Sequence, residues 1–163
     1  MLARKLITIS LATLLPISLT ACLSGATPPR DLLLDSSDFP NVHVTEIVQE
    51  TGTTNEDEPA VQVKLRAPDF TVLESLVLFE TRDLALGILA GIKQDQTIQG
   101  VVAVPIEGFQ DNTGIMGEHL NGEEASTVFF VEGRALVRIS VQGEKGVENI
   151  WEIARQARIK SGG

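Results

Sequence analysis

Few residues of this chain are suited to chemistry, and their spacing decides what they can do. His119 follows Glu118 and is close to Glu123 and Glu124, a mix of nitrogen and oxygen donors that a transition metal accepts. The chain has no His-Glu-x-x-His pair and no clustered cysteines, and the other histidine, His43, is far away in sequence. The expectation is therefore a solvent-facing loop and no metal. Asp111, Asn112, Glu118 and Glu123 offer oxygens for calcium, but not the spaced donors and turn glycine of an EF-hand loop. Ser75, Ser126 and Ser140 lie outside any G-x-S-x-G elbow. Asp57 and Glu58 are neighbours in an acidic run, whereas glycoside hydrolysis needs its acids placed across a substrate. Gly108, Gly114 and Gly117 do not reproduce a phosphate loop. Together these point away from an enzyme, and no cofactor is expected.

The one cysteine carries more information. Arg4 and Lys5 precede an apolar stretch from Leu6 to Leu19, broken by Pro16, and Leu19-Thr20-Ala21-Cys22 closes it. These residues resemble the lipobox signal peptide of bacterial lipoproteins. The resemblance implies cleavage after residue 21, a diacylglyceryl group on the Cys22 sulfur, and acylation, for example by palmitate, of the new amino terminus. The segment is too short and too interrupted for a spanning helix of about 20 residues. Acyl chains bind at about 0.8 kcal/mol per buried methylene, so two or more hold a domain firmly on a bilayer. The implied partner at this end is thus a lipid bilayer, either the cell membrane or an outer membrane, with the domain outside the cytoplasm.

Removal of residues 1–21 leaves 142 residues, a natural size for one domain with a sizeable core. The full chain carries a formal charge of −9, and the removed segment takes two positive charges with it, leaving about −11. That balance disfavours nucleic acid as a partner. With no second cysteine, stability must come from apolar packing.

Residues 22–30, with Pro28 and Pro29, read as a lipidated tether, 31–160 as a single domain, and 161–163 as a loose end. Asp31 to Asp35 reads as a short helical turn over the core edge. A strand begins at Val42, Val44 and Ile47, and the acidic stretch from Glu50 to Pro59 reads as a solvated turn or a mobile hairpin tip. Val61, Val63 and Leu65 alternate with polar residues, which predicts a half-buried strand, and a second follows over 71–79. Thr81 caps a helix whose row Leu84, Ile88 and Ile92 has Ala85 and Leu89 beside it, with Gly87 and Gly91 suited to close approach to the sheet. Residues 101–104 suggest a short strand, and Glu107 to Ala125 an irregular stretch. Strands over 126–131 and 134–142 join at Glu132-Gly133, and a final helix over 145–159 carries Val147, Ile150, Ala154 and Ala157 with Trp151 as its core anchor. The predicted class is α+β: a two-layer domain, an antiparallel sheet covered by two main helices, with a β-β-α echo between its halves.

The glycine-containing turn from Gly114, the apolar hairpin through Phe130 and Gly133 to Ile139, and the terminal helix resemble small bacterial extracytoplasmic domains. These are the lipoprotein and sensor domains of the Mog1/PsbP-like or receptor-kinase extracellular kind. The resemblance implies recognition of a ligand or envelope protein without chemistry. The long loop from Ile106 to Glu124 is the expected recognition element, with Phe109, Ile115, Met116, His119 and Leu120 as its candidates, the alternative being that Phe109, Ile115 and Leu120 fold back to cap the core. The expected function is a membrane-anchored, non-enzymatic recognition or accessory module. Two alternatives stand beside it. A carrier or sensor of a small hydrophobic ligand would need an enclosed cavity, and a metal-dependent hydrolase would need His119 to meet His43 or several carboxylates.

Overall fold

The computed structural model describes residues 29–103, 106–120 and 122–162. The expected signal segment, Cys22, most of the tether and the end of the expected 101–104 strand lie outside them. Six strands form one antiparallel sheet in the order β1-β2-β3-β6-β5-β4. They are β1 (Thr45–Thr53), β2 (Pro59–Arg66), β3 (Thr71–Leu78), β4 (Met116–Leu120), β5 (Glu123–Glu132) and β6 (Ala135–Gln142). The helices are α1 (Arg82–Ile98), α2 (Glu144–Glu148) and α3 (Ile150–Ser161), and the class is α+β as expected. Two three-strand meanders lie side by side, each followed by helix, which is the echo read in the sequence. The two long helices, however, pack on opposite faces of the sheet. No single rotation therefore relates the halves, and a partial third layer results.

The α3 face is the main core. Alternation in β2, β3, β5 and β6 turns Val61, Val63, Leu65, Val72, Leu76, Val128, Val137, Ile139 and Val141 inward, against Ile150, Ile153, Ala154 and Ala157. The terminal helix breaks at Asn149, so Ile150 becomes its fully buried residue, while Trp151 is half-buried at the core edge and Val147 is exposed. α3 continues through Ser161, the first of the three residues expected to be loose. The β5–β6 hairpin turns through Gly133 (φ +54°) and Arg134, with the left-handed residue at the first position as a type II′ turn needs.

On the other face, Thr81 caps α1 through its side chain as expected, but the helix is rotated relative to the predicted row. Ala85, Leu89 and Gln96 are buried, and Leu84 is half exposed. A Cβ at Gly87 or Gly91 would meet no atom within 4 Å, so neither glycine serves close approach to the sheet. β1 extends through the predicted acidic turn, whose tip shrinks to residues 54–58. Within the predicted irregular stretch, β4 pairs with β5, which itself starts at Glu123. Residues 101–103 are not a strand.

The amino-terminal segment docks on the α3 face. Two 3-10 turns, Pro29–Leu32 and Ser36–Asp38, carry Leu32, Leu33 and Leu34 into the core. Beneath them, Glu74 of β3 is fully buried and accepts the Leu34 amide at 2.7 Å, while its other oxygen has no partner. Burial is the main cause pushing its carboxyl up to about 8, against the Leu34 hydrogen bond that lowers it. Lys160 of α3 binds Asp35 and Asp38, and the Asp35 carboxyl is lowered to about 2, chiefly by the hydrogen bond from Lys160.

Two predictions follow from this packing. Gly87→Ala and Gly91→Ala should each stabilise the protein by roughly 0.5–1 kcal/mol, because alanine fits both open helical sites and restricts the unfolded chain. Urea unfolding checks this, and a loss of stability at either site would mean the glycine is needed. Glu74 has a raised folded pKa, so its contribution is fully present below the unfolded value of 4.5 and declines as pH rises to about 8. The slope from this one group approaches about 1.4 kcal/mol per pH unit at its steepest. Asp35 acts oppositely, its contribution being lost as pH falls from 3.8 through about 2. Unfolding midpoints measured from pH 4 to 9 should fall with rising pH in the parent and lose that slope in Glu74→Gln. Equal slopes would contradict the assignment.

Candidate functional site

The α1 face of the sheet is covered only in part. Ladder partners share a face, so four cross-strand rows can be followed across it. The row Ala60, Val77, Leu136 and Val131 runs along the end of the sheet where Ala85 and Leu89 of α1 pack. Three rows beyond it change character. Next come Gln62, Ser75, Arg138 and Phe129, then Lys64, Leu73, Ser140, Thr127 and Met116, and beyond them the partners Arg66, Thr71 and Gln142 on one side and Ala125 and Glu118 on the other. Each carries polar side chains, whereas the opposite face at the central strands β3 and β6 is apolar apart from Glu74.

A polar network occupies the middle of this region. Glu118, from edge strand β4, extends its Oε1 over β5 and β6. The Thr127 hydroxyl donates to it, Arg138 Nη2 donates at 2.6 Å, and Ser140 Oγ lies at 3.1 Å. Ser140 Oγ is also 2.7 Å from Thr127 Oγ1, so the two hydroxyls and the carboxylate form a closed triangle. The Arg138 guanidinium lies 5.8 Å from the centroid of the Phe129 ring, and its Nε is shielded from solvent without a partner. Partial burial raises the Glu118 carboxyl, but the bonds from Thr127 and Arg138 outweigh it and hold the group below its ordinary value. Glu118 is ionised at neutral pH, with Arg138 as its counter-charge. Gln62 and Ser75 are bonded alongside at 3.1 Å, and Gln142 donates to the Leu120 carbonyl at 3.1 Å. Chemically, the arrangement is a set of fixed hydrogen-bond donors, one of them a partly buried cation, around a carboxylate oxygen, with no nucleophile–base pair.

The predicted recognition residues do not converge. Phe109 is in the core, 2% exposed, with its ring edge against Phe130 at 5.2 Å, Trp151 at 5.5 Å and Arg158 over it at 5.4 Å. An aromatic side chain in a glycine-bounded stretch is as useful for closing a core as for binding, and here it closes one. Ile115 is exposed just before β4. Met116 and Leu120 lie on the α1 face on either side of Glu118, half-buried at the edge of the polar rows, while His119 points to the other face, opposite Glu124 in register. Among the described residues, no three His, Cys, Asp or Glu side chains gather as a metal site would need. An open depression of about 550 Å³ beside His43, lined by Ser36, Phe39, Pro40, Asn41, Val42 and Val44, is too shallow to enclose a hydrophobic ligand. Thr127, Arg138 and Ser140 escaped the sequence reading as a site. The available signal was the alternation of Arg138, Ser140 and Gln142 with Val137, Ile139 and Val141, which marks a strand with one polar face.

No helix among the described residues is long and apolar enough to cross a membrane. No protein-family model matches the chain, and no curated protein matches it. Among solved structures, the fold is similar to the extracellular domain of PknH from Mycobacterium tuberculosis, with a TM-score of 0.58 and 14% identity, over 83% of this chain and 96% of that one. At that identity the likeness is one of fold alone.

Proposed function

We propose that this protein is a non-enzymatic recognition module anchored in a bacterial cell envelope, and that it recognises its partner through the uncovered half of the α1 face. The observation that carries the reading is the Arg138–Glu118–Thr127–Ser140 network. A partly buried charge with a shielded, unpartnered nitrogen is costly to keep on a sheet whose interior is otherwise apolar. On an open sheet face such a group has hydrogen-bonding capacity left over for a partner. The likeness to an extracellular domain and the resemblance of residues 1–22 to a lipobox support the location. The mechanism is positional. Acyl chains on Cys22 confine the domain, residues 23–28 give it reach, and the polar rows face outward from a rigid sheet.

Two measurements test the parts separately. Cys22→Ser should release the protein from the membrane fraction and remove the acyl mass from its intact mass spectrum. Retention of that mass would end the lipoprotein reading. For the surface, a photo-crosslinking residue at Ser75 should give discrete adducts in intact cells. The same residue at Gly87, on the outside of α1, should not, and Arg138→Gln should weaken the Ser75 adducts several-fold. Equal adducts at both positions would move recognition off this face.

A further inference from the structure

The donors of the polar network and its acceptor are held very differently. Thr127 and Ser140 face each other across β5 and β6, and Arg138 sits on β6, the strand at the middle of the sheet with partners on both sides. Their positions are fixed by two ladders. Glu118 comes from β4, a five-residue edge strand paired on one side only, and Gly117 and Gly122 leave it little side-chain packing. A short edge strand opens at lower cost than a central one. The rigid part of the network is thus the cradle, and the carboxylate is the part that can leave.

The cradle is also incompletely filled. Glu118 takes the Arg138 Nη2, Thr127 and Ser140 contacts with one oxygen, Oε1, while Arg138 Nε stays shielded from solvent and unpartnered. A carboxylate facing a guanidinium squarely engages Nε and a terminal nitrogen together, one oxygen to each. Glu118, tied to β4, does not make that second bond. An incoming carboxylate free of β4 can make it, recovering a hydrogen bond that the resident group leaves unmade. The local charge does not oppose this. Lys64, Arg66 and Arg138 are balanced on this half-face by Glu50, Glu118 and Glu123, on a chain whose net charge is −9. That half-face is close to neutral, so an anion meets less repulsion there than the net charge of the chain implies.

We propose that Arg138, Thr127 and Ser140 form a carboxylate-binding cradle, that Glu118 occupies it as a resident stand-in, and that ligands of this protein enter by presenting a carboxylate that displaces Glu118. The proposal rests on the reading of the α1 face as the recognition surface and names the chemistry of what it recognises. When the ligand enters, the Glu118 side chain is freed and the β4 edge is released, so occupancy is coupled to the order of that strand.

The test uses the full chain in detergent, with sodium acetate as the probe and sodium chloride holding ionic strength constant. The signals read are the Arg138 Nε–H and the Thr127 and Ser140 amides in a ¹⁵N-labelled sample. Glu118→Ala should show saturable acetate-dependent shifts at all three, with at least ten-fold tighter binding than the parent, and Arg138→Gln in the same background should abolish them. Glu118→Gln, which keeps the shape and loses the charge, should fall between the two and serves if the alanine variant does not fold. Absence of saturable shifts in both variants, equal affinity in variant and parent, or preference for inorganic phosphate over acetate would each overturn the proposal. Failure here would leave the Ser75 crosslinking result standing, so the two readings fail separately.

Discussion

The pairing of β3 with β6 is the constraint on which everything else rests. Among the described residues it is the only ladder joining the two meanders, running from Thr71↔Gln142 to Leu78↔Ala135 between segments far apart in the chain. Closing so long a loop has an entropic cost that no local interaction offsets. What offsets it is burial on both faces of β6. Val137, Ile139 and Val141 meet α3 on one side, and Leu136 meets α1 on the other. Each helix therefore depends on the seam for its contact surface. The amino-terminal turns depend on it too, since their anchoring carboxyl, Glu74, is opposite Ile139 in that ladder. The polar network stands on the reverse of the same strand.

The two faces of the sheet have been built to different rules. One is apolar and closed, with a single carboxyl kept neutral by burial and used to hold a backbone amide. The other changes within four rows from a packed apolar strip under α1 to half-buried polar rows in which Thr127 and Ser140 are themselves buried. A β-strand permits this because successive side chains belong to different faces, so β6 carries a core-forming set and a polar set in eight residues. The Phe129 ring marks the boundary, packing beside the α1 cluster and supporting the Arg138 guanidinium.

Much of this fold was legible where burial follows a local period. Val61, Val63 and Leu65 announced β2, the β5–β6 hairpin was visible in two apolar runs around Gly133, and Thr81 marked the start of α1. What escaped depends on partners distant in sequence. β4, with Gly117 and alternating partly exposed residues, has no apolar period of its own and is a strand only because β5 offers it a ladder. Leu84 satisfied the helical row but sits off the face that the sheet selects, and Gln96 is buried at the end of that face against its polarity. Glu74 alternates correctly with Val72 and Leu76, yet nothing local tells a buried acid from an edge charge. Of the loop candidates, Phe109 packs into the core and Met116 and Leu120 lie half-buried on the α1 face, and a loop aromatic looks the same in sequence whether it binds or packs. Arg138, Thr127 and Ser140 become neighbours only through register.

The docking of the amino-terminal turns has a mechanical consequence. If the domain is held by its amino-terminal end, any tension on it enters through residues 29–38. There it meets the Leu34–Glu74 bond, the apolar seat of Leu32 to Leu34, and the Lys160 contacts at the far end of α3. Load arriving along this path is shared between the central strand and the carboxy-terminal helix at once. A stretched tether would thus pull first on the best-packed face of the molecule, leaving the polar rows on the opposite face undistorted while the domain strains against its anchor.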